Sequence, residues 1–317
     1  MSYGYGYGDQ NDPYQQMRSP EPFRGLSPRL IAGLFIALVA VVIYMTGSEV
    51  NPVTGKRQHI AMSVDQEKAM GLQAAPEMAS KMGGAVDPRA DPRAALVARI
   101  GRKIVEQSDA NRSPYVGNYH FYLLNDSKTV NAFALPGGQV FITRALFDAL
   151  DDEAELAGVL GHEVGHVVNR HSAEHLAKGR LGQLLTTAFG VGSSGGRDGG
   201  RNATLVASMV NQLSQLKFSR GDESEADEFG MKYMAQSGYD PSAMLDVMNV
   251  LKKVSEGGRT PEILATHPMP ETRFKEIKET LAREYPGGVP SSFTRGQSLR
   301  EASRSLGGFG GGLKRGY

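Results

Sequence analysis

Gly161-His162-Glu163-Val164-Gly165-His166 sits inside a run, about 152–177, whose composition reads as a helix. Two histidines four positions apart lie about 40° apart around an α-helix, so both imidazoles project from one face. That spacing lets two neutral ring nitrogens clamp one Zn²⁺, and it leaves Glu163 beside the metal as general base for an activated water. Such a site needs at least one further protein ligand.

The positions three and six residues beyond His166, where an extended form of the motif carries Gly and His, hold Asn169 and Ser172. That solution is excluded. On a continuous helix His171 and His175 fall about 180° and 220° from His162, which predicts a surface or outer-layer role for both. A later run, 222–228, offers the carboxylates of Asp222, Glu223, Glu225, Asp227 and Glu228. Acidic residues at a helix start are favoured by the macrodipole with no metal involved. Spacing nevertheless sets two apart: Glu223 and Asp227 share a face, and Glu225 lies about 200° round from Glu223. A Glu with an Asp one turn on provides a metal carboxylate and a second carboxylate for the outer N–H of a ligating His.

Outward from this centre the chain divides into five parts. Residues 1–29 open with Tyr-Gly repeats and read as a disordered tail. Residues 30–48 carry no charge, and nineteen residues span about 28 Å as a helix, close to a bilayer core. The run is long for a signal peptide and lacks a small-x-small cleavage pattern, so an uncleaved membrane anchor is expected. Arg18, Arg24 and Arg29 precede it against Lys56 and Arg57 after it, a bias that places the main domain outside the cytoplasm.

Residues 49–90 are expected to form an extended linker and a first helix begun by the capping box Ser63/Gln66. Residues 91–285 form the main domain. Asp91-Pro92 opens a core helix, 118–124 and 130–135 read as strands, and 139–143 closes a hairpin across Pro136-Gly137-Gly138. Ser219 or Asp222 caps the acidic helix, and Thr266-His267-Pro268 makes a stiff loop before a last amphipathic helix. Residues 286–317, rich in Gly, Ser and Arg, are expected to be a second disordered tail.

Composition removes several classes. The chain has no cysteine, which excludes disulfides, thiolate ligands and cysteine nucleophiles. A net charge of +1, with no basic patch interleaved by aromatics, argues against a nucleic-acid partner.

His162-Glu163-x-x-His166, Glu223-x-x-x-Asp227 and Asn131-Ala132-Phe133-Ala134-Leu135-Pro136-Gly137-Gly138 occur in the order found in one family. They resemble the HtpX-like and CAAX-prenyl-protease-like zinc metallopeptidases. Asn51-Pro52-Val53-Thr54-Gly55, Ser219-Arg220 and His267-Pro268 with Arg273 extend the resemblance over about 50–285. The resemblance implies an α+β, mostly helical gluzincin core with a small sheet, and Glu223 as third ligand to one zinc. It also implies that the hairpin presents Asn131, Ala132, Phe133 and Ala134 as an edge strand, to which an extended polypeptide substrate adds through main-chain hydrogen bonds. Asp227 then orients a ligating His, and Arg273 or Arg220 either stabilises an oxyanion or ties helices together. His267 is a candidate fourth ligand that would hold the enzyme latent. The single anchor departs from relatives whose sites are embedded among several membrane helices.

The expected activity is that of a membrane-anchored endopeptidase in protein quality control. The rival from another class is a tethered, chaperone-like binding protein with a structural zinc, for which Glu163 would have no use.

Overall fold

The helix that carries the motif, α4 (Glu153–Val168), is buried along its whole length. Asp152 caps it, its side chain accepting the N–H of Glu155. In the computed structural model of the chain, residues 48–60, 62–179, 203–256, 261–268 and 271–304 are described, with Met1, Gly4 and most of 31–42.

Before α4 come a hairpin of β1 (Ser48–Val50) and β2 (Arg57–His59), then α1 (Val64–Lys81) and α2 (Pro92–Glu106). Both expected caps are formed, the Ser63/Gln66 box on α1 and Asp91 before Pro92 on α2. A three-stranded sheet follows: β3 (His120–Leu124), β4 (Ala132–Leu135) and β5 (Gln139–Thr143), in the order β3-β5-β4. β4 and β5 form the expected antiparallel hairpin, and β3 runs parallel to β5 on its other side. β4 is therefore an edge strand. Gly137 and Gly138, both at positive φ, make its turn, and Gly137 lies so close to α1 that a Cβ would stand 2.5 Å from the Cα of Lys68.

The short α3 (Arg144–Phe147) leads into α4. Helix α5 (171–179) follows it, then α6 (Ala203–Ser214), α7 (Arg220–Gln236), α8 (Ala243–Glu256), the single turn α9 (Ile263–Thr266), α10 (Glu271–Glu284) and α11 (Leu299–Arg304). The main core lies where α2, the sheet, α7 and α8 close around α4, and includes Ile100, Ile104, Leu123, Ile142, Leu156 and Leu160, all fully buried. Each contributes roughly 1.5–3 kcal/mol by leaving water.

Three expectations are corrected here. The motif helix does not run on to 177. It ends at Asn169, and Arg170 takes a left-handed backbone (φ 57°) before α5 starts in a new direction. The cause is distant: Asn51 and Gln58 of the β1–β2 hairpin donate to the carbonyls of Val168 and Asn169, satisfying helix-end acceptors that a continued helix would use. Residues 49–60 are accordingly a docked hairpin, not a linker. Finally, 286–304 pack as a strap over the start of α4, where Arg295 pairs with Asp152, Glu155 and Asp246, and Gln297 O accepts from Glu153 N.

Where residues 31–42 are described they are helical, with Ile31, Leu34, Phe35 and Leu38 exposed. Among the described residues no helix is long and apolar enough to cross a membrane. The remainder of the expected anchor, the rest of the Tyr-Gly tail and 305–317 lie outside the described residues.

Candidate metal centre

Helices α4 and α7 approach along a seam of small residues. A Cβ on Gly161 would stand 3.1 Å from Gly230 O, and one on Gly165 would stand 3.0 Å from Ala226 O. This close approach brings two side chains of α7, Glu223 and Asp227, against the two histidines of α4. Ser219 caps α7 and Asp222 returns the bond to the Ser219 N–H, so both expected capping residues act together.

Ligand-type atoms of His162, His166, Glu223 and His267 all lie within 4.8 Å of one another, and all four residues are buried. His162 Nε2 and His166 Nε2 stand 3.0 Å apart. Glu223 is 3.6 Å from the first and 3.5 Å from the second. His267, carried just past α9, places Nδ1 3.0 Å from Glu223 Oε1 and 3.4 Å from His162 Nε2.

Behind the cluster, His162 Nδ1 lies 2.9 Å from Asp227 Oδ1. Asp227 is in turn gripped by Arg273, whose Nη2 and Nε donate at 2.6 and 2.8 Å. A carboxylate only accepts, so the proton sits on His162 Nδ1 and the Nε2 lone pair points at the cluster. Arg273 Nη1 also lies 2.7 Å from Glu223 Oε2. The guanidinium is thus engaged by both carboxylates, which favours the helix-tying role over oxyanion stabilisation. Arg220 is exposed.

Glu163 is 1% exposed, and neither of its carboxylate oxygens has a hydrogen-bond partner. Burial raises its pKa. Burial would do the same to Glu223, but His267 and His166 outweigh it and hold that carboxyl well below its usual range. For Asp227 burial is outweighed by Arg273 and His162. His166 is pushed well below the ordinary imidazole value by burial. At His267 the carboxylates of Glu223 and Glu163 overcome burial and raise it.

Such a donor set fits a divalent cation. Glu223 and Asp227 are ionised against Arg273, two imidazole lone pairs converge on one point, and the Glu163 carboxyl faces them with no hydrogen-bonded counter-charge when ionised. Buried charge of that kind is costly without a counter-ion.

The edge strand lies beside this centre. Asn131, Phe133, Ala134 and Leu135 line a small pocket together with Phe218 and His267. Thr143 N donates to Asn131 O, so the alternation of the ladder turns the main-chain groups of Ala132 and Ala134 away from β5, to the outer edge of the sheet.

One contact was not foreseen. His171, expected to face away, places Nδ1 2.9 Å from His166 Nδ1 because the helix breaks at Asn169–Arg170 and turns α5 back. Asn169 in front of Arg170 was the sole local sign of a helix end. His175, half-buried, pairs with Asp222 at 2.8 Å.

Comparison with known proteins agrees with this geometry. The model of peptidase family M48 matches residues 92–281. The chain is 31% identical over 281 residues to the β-barrel assembly-enhancing protease of Yersinia pestis, covering 84% of this chain and 54% of that protein. It is 32% identical over 254 residues to the mitochondrial metalloendopeptidase OMA1 of Schizosaccharomyces pombe, covering 78% and 71%. It is 29% identical over 229 residues to the metalloprotease LoiP of Escherichia coli, covering 72% and 85%. The chain spans about half the length of the β-barrel assembly-enhancing proteases it matches.

Proposed function

Because the chain belongs to peptidase family M48, we propose that it is a zinc-dependent endopeptidase, anchored to a membrane through residues 30–48, that cuts unfolded or misassembled polypeptides. The observation that carries this reading is the orphaned carboxylate of Glu163, buried beside the convergent His162, His166 and Glu223. A structural zinc site would leave that carboxylate buried at a cost of several kcal/mol with nothing to do.

In this reading His162, His166 and Glu223 hold one zinc. The ion, when bound, supplies a water acidic enough to be deprotonated near neutral pH. Glu163 accepts that proton during attack on the peptide carbonyl and delivers it to the leaving amine. Asp227 keeps His162 in the tautomer that directs Nε2 inward, and Arg273 keeps Asp227 in place. An extended substrate pairs with the outward main-chain groups of the edge strand at Ala132 and Ala134, beside Asn131 and Phe133.

His267 lies among the ligands and 3.8 Å from Glu163. Its ring lies between Glu163 and the cluster of His162 and Glu223, and in the proposed resting state it would serve as a further ligand and keep the enzyme latent. The names of the relatives, one for β-barrel assembly and one mitochondrial, support a role in quality control of membrane-associated proteins. In this reading the catalytic domain lies on the extracytoplasmic side, which the excess of arginines before residues 30–48 supports.

The test is metal analysis of the full chain with cleavage of an unfolded protein such as casein, beside Glu163→Gln. One zinc in both forms and cleavage in the unsubstituted chain alone are expected. Cleavage that persists in Glu163→Gln contradicts the mechanism, and a zinc-bound chain that cleaves in neither form, and still does not cleave when His267→Ala is added, points to a binding protein.

A further inference from the structure

His162 is backed directly by a carboxylate, but His166 is not. Its outer nitrogen meets a second imidazole, and beyond that imidazole the contacts continue in a line to the surface. His166 Nδ1 is 2.9 Å from His171 Nδ1, and His171 Nε2 is 3.4 Å from Glu225 Oε2. Glu225 Oε1 is 2.6 Å from Lys56 Nζ. His171 is 2% exposed, so its ring has little water to turn to.

Only one arrangement of protons satisfies every member of this line. If Nε2 of His166 faces a metal with its lone pair, its Nδ1 carries the proton and donates. Nδ1 of His171 must then accept, which leaves the proton of His171 on Nε2. That N–H points at a carboxylate, and the carboxylate is closed off by an ammonium. Asp222 is the poorer acceptor for His171, at 3.8 Å, and it is already engaged by His175 and the Ser219 N–H.

Lys56 comes from the β1–β2 hairpin, which precedes the segment matched by the family model. The hairpin is fixed to the end of the motif helix with some care. Asn51 Nδ2 donates to Val168 O at 2.6 Å, Gln58 Nε2 donates to Asn169 O, and Arg170 Nη1 reaches Glu49 at 2.6 Å. Arg170 also binds Glu67 and Met62 O, and Tyr115 donates to the other oxygen of Glu67 at 2.6 Å. These bonds hold the backbone turn that brings His171 round to His166.

We propose that His171 and Glu225, steadied by Lys56, are positioning residues for His166, joined to it by hydrogen bonds that all donate outward from the metal, and that the β1–β2 hairpin is thereby a working part of the metal centre. The proposal rests on the reading of His166 as a zinc ligand. It assigns the second histidine its own outer support, parallel to the Asp227–Arg273 pair behind His162.

The test uses the full chain in a Glu163→Gln background, so that self-cleavage does not interfere and the result does not depend on peptidase activity. Zinc affinity is read by competition with a chromophoric chelator, and ligand geometry by the visible spectrum of the Co²⁺-substituted protein. His171→Ala is expected to weaken zinc binding about 10–100-fold and to alter the Co²⁺ spectrum. His171→Gln, whose amide accepts on one side and donates on the other, is expected to recover most of the loss. Glu225→Gln is expected to weaken binding several-fold alone and to add nothing to His171→Ala, as coupled residues do. Lys56→Ala, removing the exposed end of the ion pair, costs no more than a few-fold. A His171→Ala variant that keeps the zinc affinity and Co²⁺ spectrum of its Glu163→Gln parent, or independent losses from His171 and Glu225, overturns the proposal while leaving the metal reading intact. Absence of zinc from the Glu163→Gln chain itself overturns both.

Discussion

Asp227 Oδ1 lies 2.9 Å from Nδ1 of His162, 65 residues earlier in the chain, and Arg273 clasps the same carboxylate from the other side. The charge of Asp227 does two things at once: it fixes the His162 tautomer and it neutralises a buried guanidinium. Asp227→Asn keeps the shape and removes the charge. Zinc affinity should fall about 10–100-fold. Arg273 retains its contact with Glu223, so the fold should survive. Asp227→Asn protein that holds zinc as tightly as the unsubstituted chain would show that the pair behind His162 is structural only.

His267 gives the second prediction. Its ring sits between Glu163 and His162, where the proposed mechanism brings the substrate carbonyl. His267→Ala should cleave an unfolded protein faster than the unsubstituted chain, with zinc content unchanged. Equal rates and an unaltered Co²⁺ spectrum would sink the latent-state proposal, and a loss of zinc would make His267 an ordinary ligand.

The seam between α4 and α7, which carry the proposed ligands, supplies a third. Gly165→Ala gains roughly 0.5–1 kcal/mol of helix propensity. Its new Cβ, however, stands 3.0 Å from Ala226 O, so α4 and α7 must part by a few tenths of an ångström. Propensity gain and strain oppose each other in stability, but both ligand sets move apart in the metal site. Zinc affinity should therefore fall while the melting temperature of the metal-free protein changes little. A variant with unchanged affinity would mean that the site tolerates the wider seam.

Local chemistry was legible in the sequence and long-range closure was not. The caps at Ser63, Asp91 and Ser219, the Gly137-Gly138 turn and the shared face of Glu223 and Asp227 each depend on residues within a few positions of one another. The end of the motif helix does not. It is set by Asn51 and Gln58, more than a hundred residues earlier, and with it goes the direction of α5 and the place of His171. The C-terminal strap escaped for a related reason. Its Gly- and Ser-rich composition reads as solvated chain, yet Arg295 finds the acidic start of α4, where Asp152 and Glu155 await a cation. The parallel pairing of β3 with β5 likewise depends on how α2 covers the sheet, which no period in the strands encodes.

Asp91 tests the cap of the core helix by pH. Its side chain accepts the Arg93 N–H at 2.9 Å and the Arg93 guanidinium at 2.6 Å. Arg93 holds its pKa below the ordinary 3.8, with partial burial opposing the shift. A folded value below the unfolded one means that the ionised form favours folding. The contribution is complete above the unfolded value and is lost as pH falls through the folded one. Asp91→Ala should lower stability at pH 7 by about 1 kcal/mol, and the gap from the unsubstituted chain should narrow in urea melts near pH 3. Part of the gap should remain there, because a protonated carboxyl still accepts from Arg93 N. A gap as wide at pH 3 as at pH 7 would assign the whole effect to the neutral cap and none to the charge.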